Sequence, residues 1–236
     1  MAFNTTTYRT GPARNLKAQQ RRMEKILDCL GTKFKPWPQN RGSKFLLLVK
    51  VILSQNTNDH NSFAAFDKLV SKFRTPEQIA NANLREIQKL IRVGGLYKEK
   101  SKRLKEVSKV VLEKYGGDIS SILRKPTKEA REELLQLPGV GFKTADVVLA
   151  FGAGRDVFPV DTHVFRLSKR LGFAEREDDY EDVKKKLEEA TPFGGRLSGH
   201  VLFIQLGRTY CRARKPMHSE CPINSLCPNG TRRAKP

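Results

Sequence analysis

Residues Leu137–Ala150 read LPGVGFKTADVVLA, a glycine-rich turn that opens directly into an apolar helix. Gly139 and Gly141 allow backbone conformations closed to other residues, and the unpaired amides at the start of the following helix point outward, toward an anion. A turn built as Gly139-Val140-Gly141 grips a phosphate through backbone N–H groups and is indifferent to what the phosphate carries. Without a ligand, the same residues make a tight interhelical turn. Lys143 stands in the first turn of the helix, and its amine, once neutral, is a nucleophile. Taken alone it is one surface lysine among many, spaced to pair with Asp146 three residues on.

The chain on either side of this turn is helical in pattern. Leu16, Met23, Ile26, Leu27 and Leu30 make one apolar stripe, and Phe63, Phe66, Leu69, Val70 and Phe73 make another, both at the three-and-four spacing that puts side chains on one helix face. Thr75-Pro76-Glu77 is a cap followed by a first-turn proline, and the short helix after it, through Leu84, Ile87, Leu90 and Ile91, is stopped by Gly94-Gly95. A longer helix runs through Leu104, Val107 and Val111 to Gly116-Gly117, and another starts near Thr127. No segment sustains period-two alternation, so the fold class is all-α. Pro36, Pro38 and Gly42 mark a connector before the apolar helix that begins near Phe45, and a second helical group follows Asp161. The polar, basic tail from Asn229 to Pro236 is expected to be mobile.

The 236 residues are enough for one large or two small domains with their own cores. Lys and Arg number 45 against 25 Asp and Glu, a formal charge of +20 that favours a polyanionic partner. The longest apolar run, Phe45–Leu53, contains Lys50 and falls far short of the roughly 20 residues a membrane span needs. The N-terminal stretch has no apolar segment resembling a signal peptide, which implies an intracellular protein.

Two further elements carry chemistry. In VDTHVFRL, Asp161 precedes Thr162 as a helix cap. Cys211, Cys221 and Cys227 crowd the C-terminal end while Cys29 stands apart near the start, a distribution that suits a metal site better than a disulfide framework and leaves Cys29 as a buried thiol of the first helix. Arg212, Arg214 and Lys215 follow the first of the three clustered cysteines, as a phosphate clamp or as a solvated basic stretch.

LPGVG, Lys143 in GFKTADVV and, eighteen residues later, Asp161 in VDTHVFR together resemble the helix-hairpin-helix base-excision glycosylases, in particular the endonuclease III branch. ILSQNTND at Ile52–Asp59, GGLYKEK at Gly94–Lys100 and the cysteine-containing tail fall in family order, so the resemblance runs from about Phe45 to Cys227. It implies a two-lobed fold: residues 45–155 as a six-helix barrel with the helix-hairpin-helix, and residues 1–44 and 156–236 as a discontinuous, cluster-bearing helical domain. It implies that Lys143 attacks C1′ of a flipped-out nucleotide in double-stranded DNA while Asp161 stabilises charge on the sugar, giving a bifunctional glycosylase and abasic-site lyase that acts on oxidised pyrimidines as a DNA-associated monomer, in the nucleoid or a nucleus. The alternatives are a uracil or thymine mismatch glycosylase of the same superfamily and a non-catalytic DNA-binding protein.

Chemistry on a base leaves a hole in the stack. By resemblance a polar residue at Gln55 or Asn56 enters it, and Leu96 wedges the opposite strand; read alone, the first two are turn or cap residues and Leu96 a core contact. The family holds a 4Fe-4S cluster through C-x6-C-x2-C-x5-C. Cys211, His218, Cys221 and Cys227 keep these spacings with histidine as second ligand. Imidazole ligates iron in other iron-sulfur centres. A Cys3His set is also an ordinary zinc site.

Overall fold

The computed structural model describes residues 15–37 and 42–230. Pro38 of the connector and the last part of the tail, residues 231–236, lie outside the described residues. Every regular element among the described residues is helical. None of these helices is long and apolar enough to cross a membrane.

The chain divides into two compact units. The first comprises residues 42–155. It holds α2 (Lys44–Ser54), α3 (Asp59–Val70), α4 (Pro76–Asn81), α5 (Leu84–Ile91), α6 (Tyr97–Tyr115), α7 (Ser120–Arg124), α8 (Thr127–Leu135) and α9 (Phe142–Val147), with α1 (Leu16–Gly31) belonging to the other unit. Side-chain caps set the starts of four of these helices, Asn83 capping α5. Ser43 caps α2, Asn58 caps α3, and Thr75 closes a reciprocal capping box with Gln78 around Pro76. A 3-10 turn at Arg92–Gly94 follows α5, and a π-helical turn at Val148–Gly152 prolongs α9. Phe45, Leu48, Ile52, Leu69, Ile87, Leu104, Val107 and Leu149 are buried in the core of this unit.

The face that α3 buries differs from the predicted aromatic stripe. Ser62, Ala65 and Leu69 point inward, while Phe63 lies 46% exposed. The ammonium of Lys50, on the otherwise apolar α2, lies 4.7 Å from the Phe63 ring centroid and 5.7 Å from that of Phe66. These rings therefore serve as a cation–π shelf beside the core, which offsets the cost of a lysine on that helix.

The second unit comprises residues 15–37 and 156–230. In it α1 packs against α11 (Tyr180–Ala190) and α12 (Arg196–Thr209), with α10 (Thr162–Leu171) against both α11 and α12. Met23, Ile26 and Leu30 supply α1's buried face, meeting Val164, Leu167, Val183, Leu187, Phe203 and Leu206. Leu16, at the start of the predicted stripe, is exposed. Cys29 is half-buried rather than fully buried, and its thiol donates to the carbonyl of Pro222 at 3.2 Å.

Candidate active site

The hairpin of the first unit runs from Leu134 to the start of α9. Gly139 has φ +78°, a conformation that favours glycine, and a Cβ there would press on the Arg103 side chain at 3.1 Å. Gly141 is different: its backbone is extended, at φ −99° and ψ 179°, and a Cβ there would meet nothing within 4 Å. The prediction that both glycines hold forbidden conformations is thus corrected. Gly141 instead leaves the backbone bare at the mouth of the helix, where another backbone can approach. Val140 is buried and its N–H donates to Leu137 O at 3.1 Å, closing the turn.

Lys143 is exposed in the first turn of α9. The pairing with Asp146 that the sequence spacing permits does not form. Asp146 is fully buried, and its two oxygens accept from Arg131 Nε at 2.8 Å and Nη2 at 3.1 Å. Arg131 also lies over the ring of Phe142, 5.1 Å from its centroid.

The loops that carry Asn56 and Leu96 share an unusual backbone. Asn56 has φ +51° and Leu96 φ +46°, and both are exposed. With Lys215 at φ +51°, they are the non-glycine residues of positive φ among the described residues. Such conformations cost of order 1–3 kcal/mol each and persist where surrounding structure enforces them. Gln55 and Asn56 play separate parts. The Gln55 amide is committed to the hairpin: Nε2 donates to Gly139 O at 3.0 Å and to Thr144 Oγ1 at 3.2 Å, and Oε1 accepts from Arg103 at 3.2 Å.

Lys100 ties these loops together from beneath. Its side chain is 1% exposed, and Nζ donates to Leu53 O and to Gly94 O, both at 2.8 Å. Each carbonyl lies two residues before a loop residue, Gln55 in one case and Leu96 in the other. Burial, reinforced by the Arg103 guanidinium, lowers the Lys100 pKa to about 8. Nothing in GGLYKEK distinguishes Lys100 from its charged neighbours, so its role is visible only in three dimensions.

In the second unit, Asp161 caps α10. Its Oδ1 accepts from Val164 N at 2.8 Å, which fixes the carboxylate's orientation at the helix start. Beside it, burial first, and then Arg166 and Arg208, lower the pKa of His163 against the opposing pull of Asp161. Arg166 donates toward His163 Nδ1 at 3.1 Å, which suits a neutral ring accepting at that nitrogen.

Cys211, His218, Cys221 and Cys227 line one hollow with Leu167, Leu171, Leu206 and Ile223, and no carboxylate shares its wall. Among the described residues, no three His, Cys, Asp or Glu side chains converge closely enough to hold a single ion. Burial pushes the Cys221 thiol up to about 11 and raises that of Cys227. Two arginines one turn apart on α10 grip this loop. Arg166 donates to Cys211 O, and Arg170 donates to Cys211 Sγ at 3.3 Å, Arg212 O at 2.7 Å and Ala213 O at 3.0 Å. Arg212, Arg214 and Lys215 remain exposed on the outside of the same loop.

An all-helical chain with a glycine hairpin leading to an exposed lysine, and with soft donors around a C-terminal hollow, defines a class. The HhH-GPD superfamily of base excision DNA repair proteins matches residues 49–193, and the chain belongs to that superfamily. Within it, endonuclease III of Thermotoga maritima is 37% identical over 206 residues, covering 85% of this chain and 91% of the relative. Endonuclease III of Bacillus subtilis is 38% identical over 191 residues, covering 81% and 84%. The fold is similar to that of a trapped endonuclease III–DNA covalent intermediate, with a TM-score of 0.80 at 33% identity over 91% of this chain and 98% of the other. A thermostable thymine-DNA glycosylase is similar at TM-score 0.77 and 25% identity, covering 91% of this chain and 97% of the other.

Proposed function

We propose that this protein is a bifunctional DNA glycosylase and abasic-site lyase of base excision repair, acting on oxidised pyrimidines in double-stranded DNA. One observation carries the reading: Lys143 is exposed at the hairpin, and the carboxylate nearest in sequence, Asp146, is held by Arg131. An amine left without that counter-ion can act as a nucleophile. Its lone pair attacks C1′ of the everted nucleotide and the N-glycosidic bond breaks, the base leaving with the bonding pair and a proton. Asp161 stabilises positive charge on the sugar and manages the lysine's proton. The nitrogen lone pair then opens the sugar ring, the C1′–O4′ bond breaking and O4′ taking a proton, and the resulting protonated imine acidifies a C2′ proton whose loss expels the 3′ phosphate by β-elimination.

The rest of the molecule takes roles around that step. Gly139 and Gly141 receive a phosphate on the backbone of a turn that Val140 closes through its own N–H, Asn56 fills the vacated hole while Gln55 braces the hairpin, and Leu96 wedges the opposite strand. Arg212, Arg214 and Lys215 contact phosphates. Residues 45–155, whose helices run from α2 to α9 and so number eight rather than six, serve as the barrel domain, and the described parts of residues 1–44 and 156–236 as the cluster-bearing domain. Cys211, His218, Cys221 and Cys227 would hold a 4Fe-4S cluster, which when bound would crosslink the loop. Three thiols and an imidazole around one apolar hollow, at the spacings of the family's cluster loop, support a cluster over zinc. Visible absorption with iron and sulfide assays tests this, and colourless, zinc-containing protein would overturn it. The protein acts as a monomer at intracellular DNA.

Borohydride trapping on an abasic duplex tests the nucleophile. A covalent adduct is expected with the natural protein and none with Lys143→Ala; an adduct that survives the substitution would remove Lys143 from the role. For Asp161→Asn, base release slows severely while affinity for the duplex holds, and an equal loss of affinity would assign the residue to structure alone. The higher identity to the endonuclease III relatives, 37% and 38%, supports the reading over the mismatch substrate that the thymine-DNA glycosylase, at 25%, would suggest. Single-turnover rates across a lesion panel decide between them.

A further inference from the structure

Residues 154–161, which lead into Asp161, have no regular secondary structure, yet Val157, Phe158, Pro159 and Val160 are buried. A buried irregular backbone must find partners for its polar groups. Here side chains from distant helices supply them one after another. Phe158 N–H donates to Glu188 Oε1 at 2.9 Å, His200 Nδ1 donates to Pro159 O at 2.8 Å, and Val160 N–H donates to the Tyr180 hydroxyl at 3.2 Å. The carbonyl can only accept, so His200 carries its proton on Nδ1. His200 is itself 2% exposed. Gly199, its neighbour on α12, is packed so closely that a Cβ would meet the Phe158 ring at 2.8 Å. Farther back, Asp156 accepts from the backbone N–H of Gly194 at 2.9 Å, anchoring the start of the segment.

Three consecutive residues are thus held, each by its own side chain, immediately before the carboxylate. A one-residue slip or a small rotation would break all three bonds together, so they set the register and direction in which Asp161 leaves the core. Misplacing a reacting group by about 1 Å can cost on the order of 100-fold in rate. We infer that Tyr180, Glu188 and His200 form a backbone cradle that positions Asp161 for the reaction. They are positioning residues, and the inference rests on the role proposed for Asp161.

Single-turnover base release and duplex affinity, measured on full-length protein, test the cradle. Tyr180→Phe keeps the ring and removes the hydroxyl that accepts from Val160 N–H; His200→Gln is the second probe. Each is expected to slow base release about tenfold with affinity unchanged within about twofold, and to have almost no effect when Asp161 is already Asn, because residues acting through one group are not additive. Equal slowing in the natural and Asp161→Asn backgrounds, or a parallel loss of affinity, would overturn the cradle. An unchanged rate in Asp161→Asn alone would instead overturn the role of Asp161 on which the cradle depends.

Discussion

Both carboxylate oxygens of Asp146 accept hydrogen bonds from Arg131, at 2.8 and 3.1 Å, although Lys143 stands three residues away on the same helix. The pair fastens α8 to α9 through a charge that is completely out of water. Removing one partner of a buried ion pair costs about 3–5 kcal/mol. Arg131→Met should therefore lower unfolding stability in urea by about 3 kcal/mol or more. A loss below about 1 kcal/mol would mean that Asp146 is satisfied in some other way.

The two hairpin glycines should separate cleanly. Gly139→Ala meets both a positive φ and the Arg103 side chain, and should cost about 1–3 kcal/mol of stability. Gly141→Ala enters open space on extended backbone and should change stability by no more than about 0.5 kcal/mol. Its effect should fall on duplex affinity, since the added methyl stands where a phosphate backbone would approach. Thermal unfolding and binding titrations on both variants check this, and matching profiles would contradict the separate roles.

Lys100 makes stability depend on pH in a known direction. Burial lowers its pKa in the folded chain to about 8, while the unfolded chain keeps the ordinary value of 10.5. Between these values the unfolded state holds a proton that the folded state has shed, so folding stability gains as pH rises through the window. Below about 8 both states are charged and this gain is absent. Natural protein should therefore become more stable relative to Lys100→Met from the lower to the upper end of that window, as read by urea midpoints; a constant difference would show that the ammonium is not desolvated.

The exposed cations of the C-terminal loop should act through salt. With about six phosphates contacted, affinity should fall on the order of 1,000-fold between 50 and 200 mM salt. Replacing Arg214 or Lys215 with alanine should reduce the slope of log affinity against log salt by about one each, without changing lesion preference. A salt-insensitive complex would place the phosphate contacts elsewhere.

His218→Cys would give the loop four thiols at the same spacings. Replacing thiolate by imidazole raises the potential of an iron-sulfur centre. With the proposed cluster bound, the cysteine variant should show a lower reduction potential than natural protein by direct electrochemistry, with iron content retained. An unchanged potential would show that His218 is not a ligand.

The parts of this protein legible in one dimension were those governed by neighbours in the chain. Caps at Thr75 and Asp161, glycine stops at Gly94-Gly95 and Gly116-Gly117, the LPGVG turn and the helical period of Met23, Ile26 and Leu30 all follow from rules that act over one or two turns, and the folded chain obeys them. Those same local rules misjudged Phe63, which looked like core and is exposed, and Gly141, which looked conformationally obligatory and is not.

What the sequence determined by itself was the all-helical class, the hairpin and the spacing of the C-terminal donors. Tertiary structure alone decided that Gln55 turns inward to brace the hairpin while Asn56 stays outside, that Asp146 belongs to Arg131, that Lys100 is buried beneath two loops, and that Tyr180, Glu188 and His200 hold the backbone ahead of Asp161. The reason is physical. A cap or a turn is closed by atoms a few bonds apart, so its partners are named by adjacency, whereas a buried amide or charge takes whichever partner packing delivers, and packing is settled only when the whole core forms.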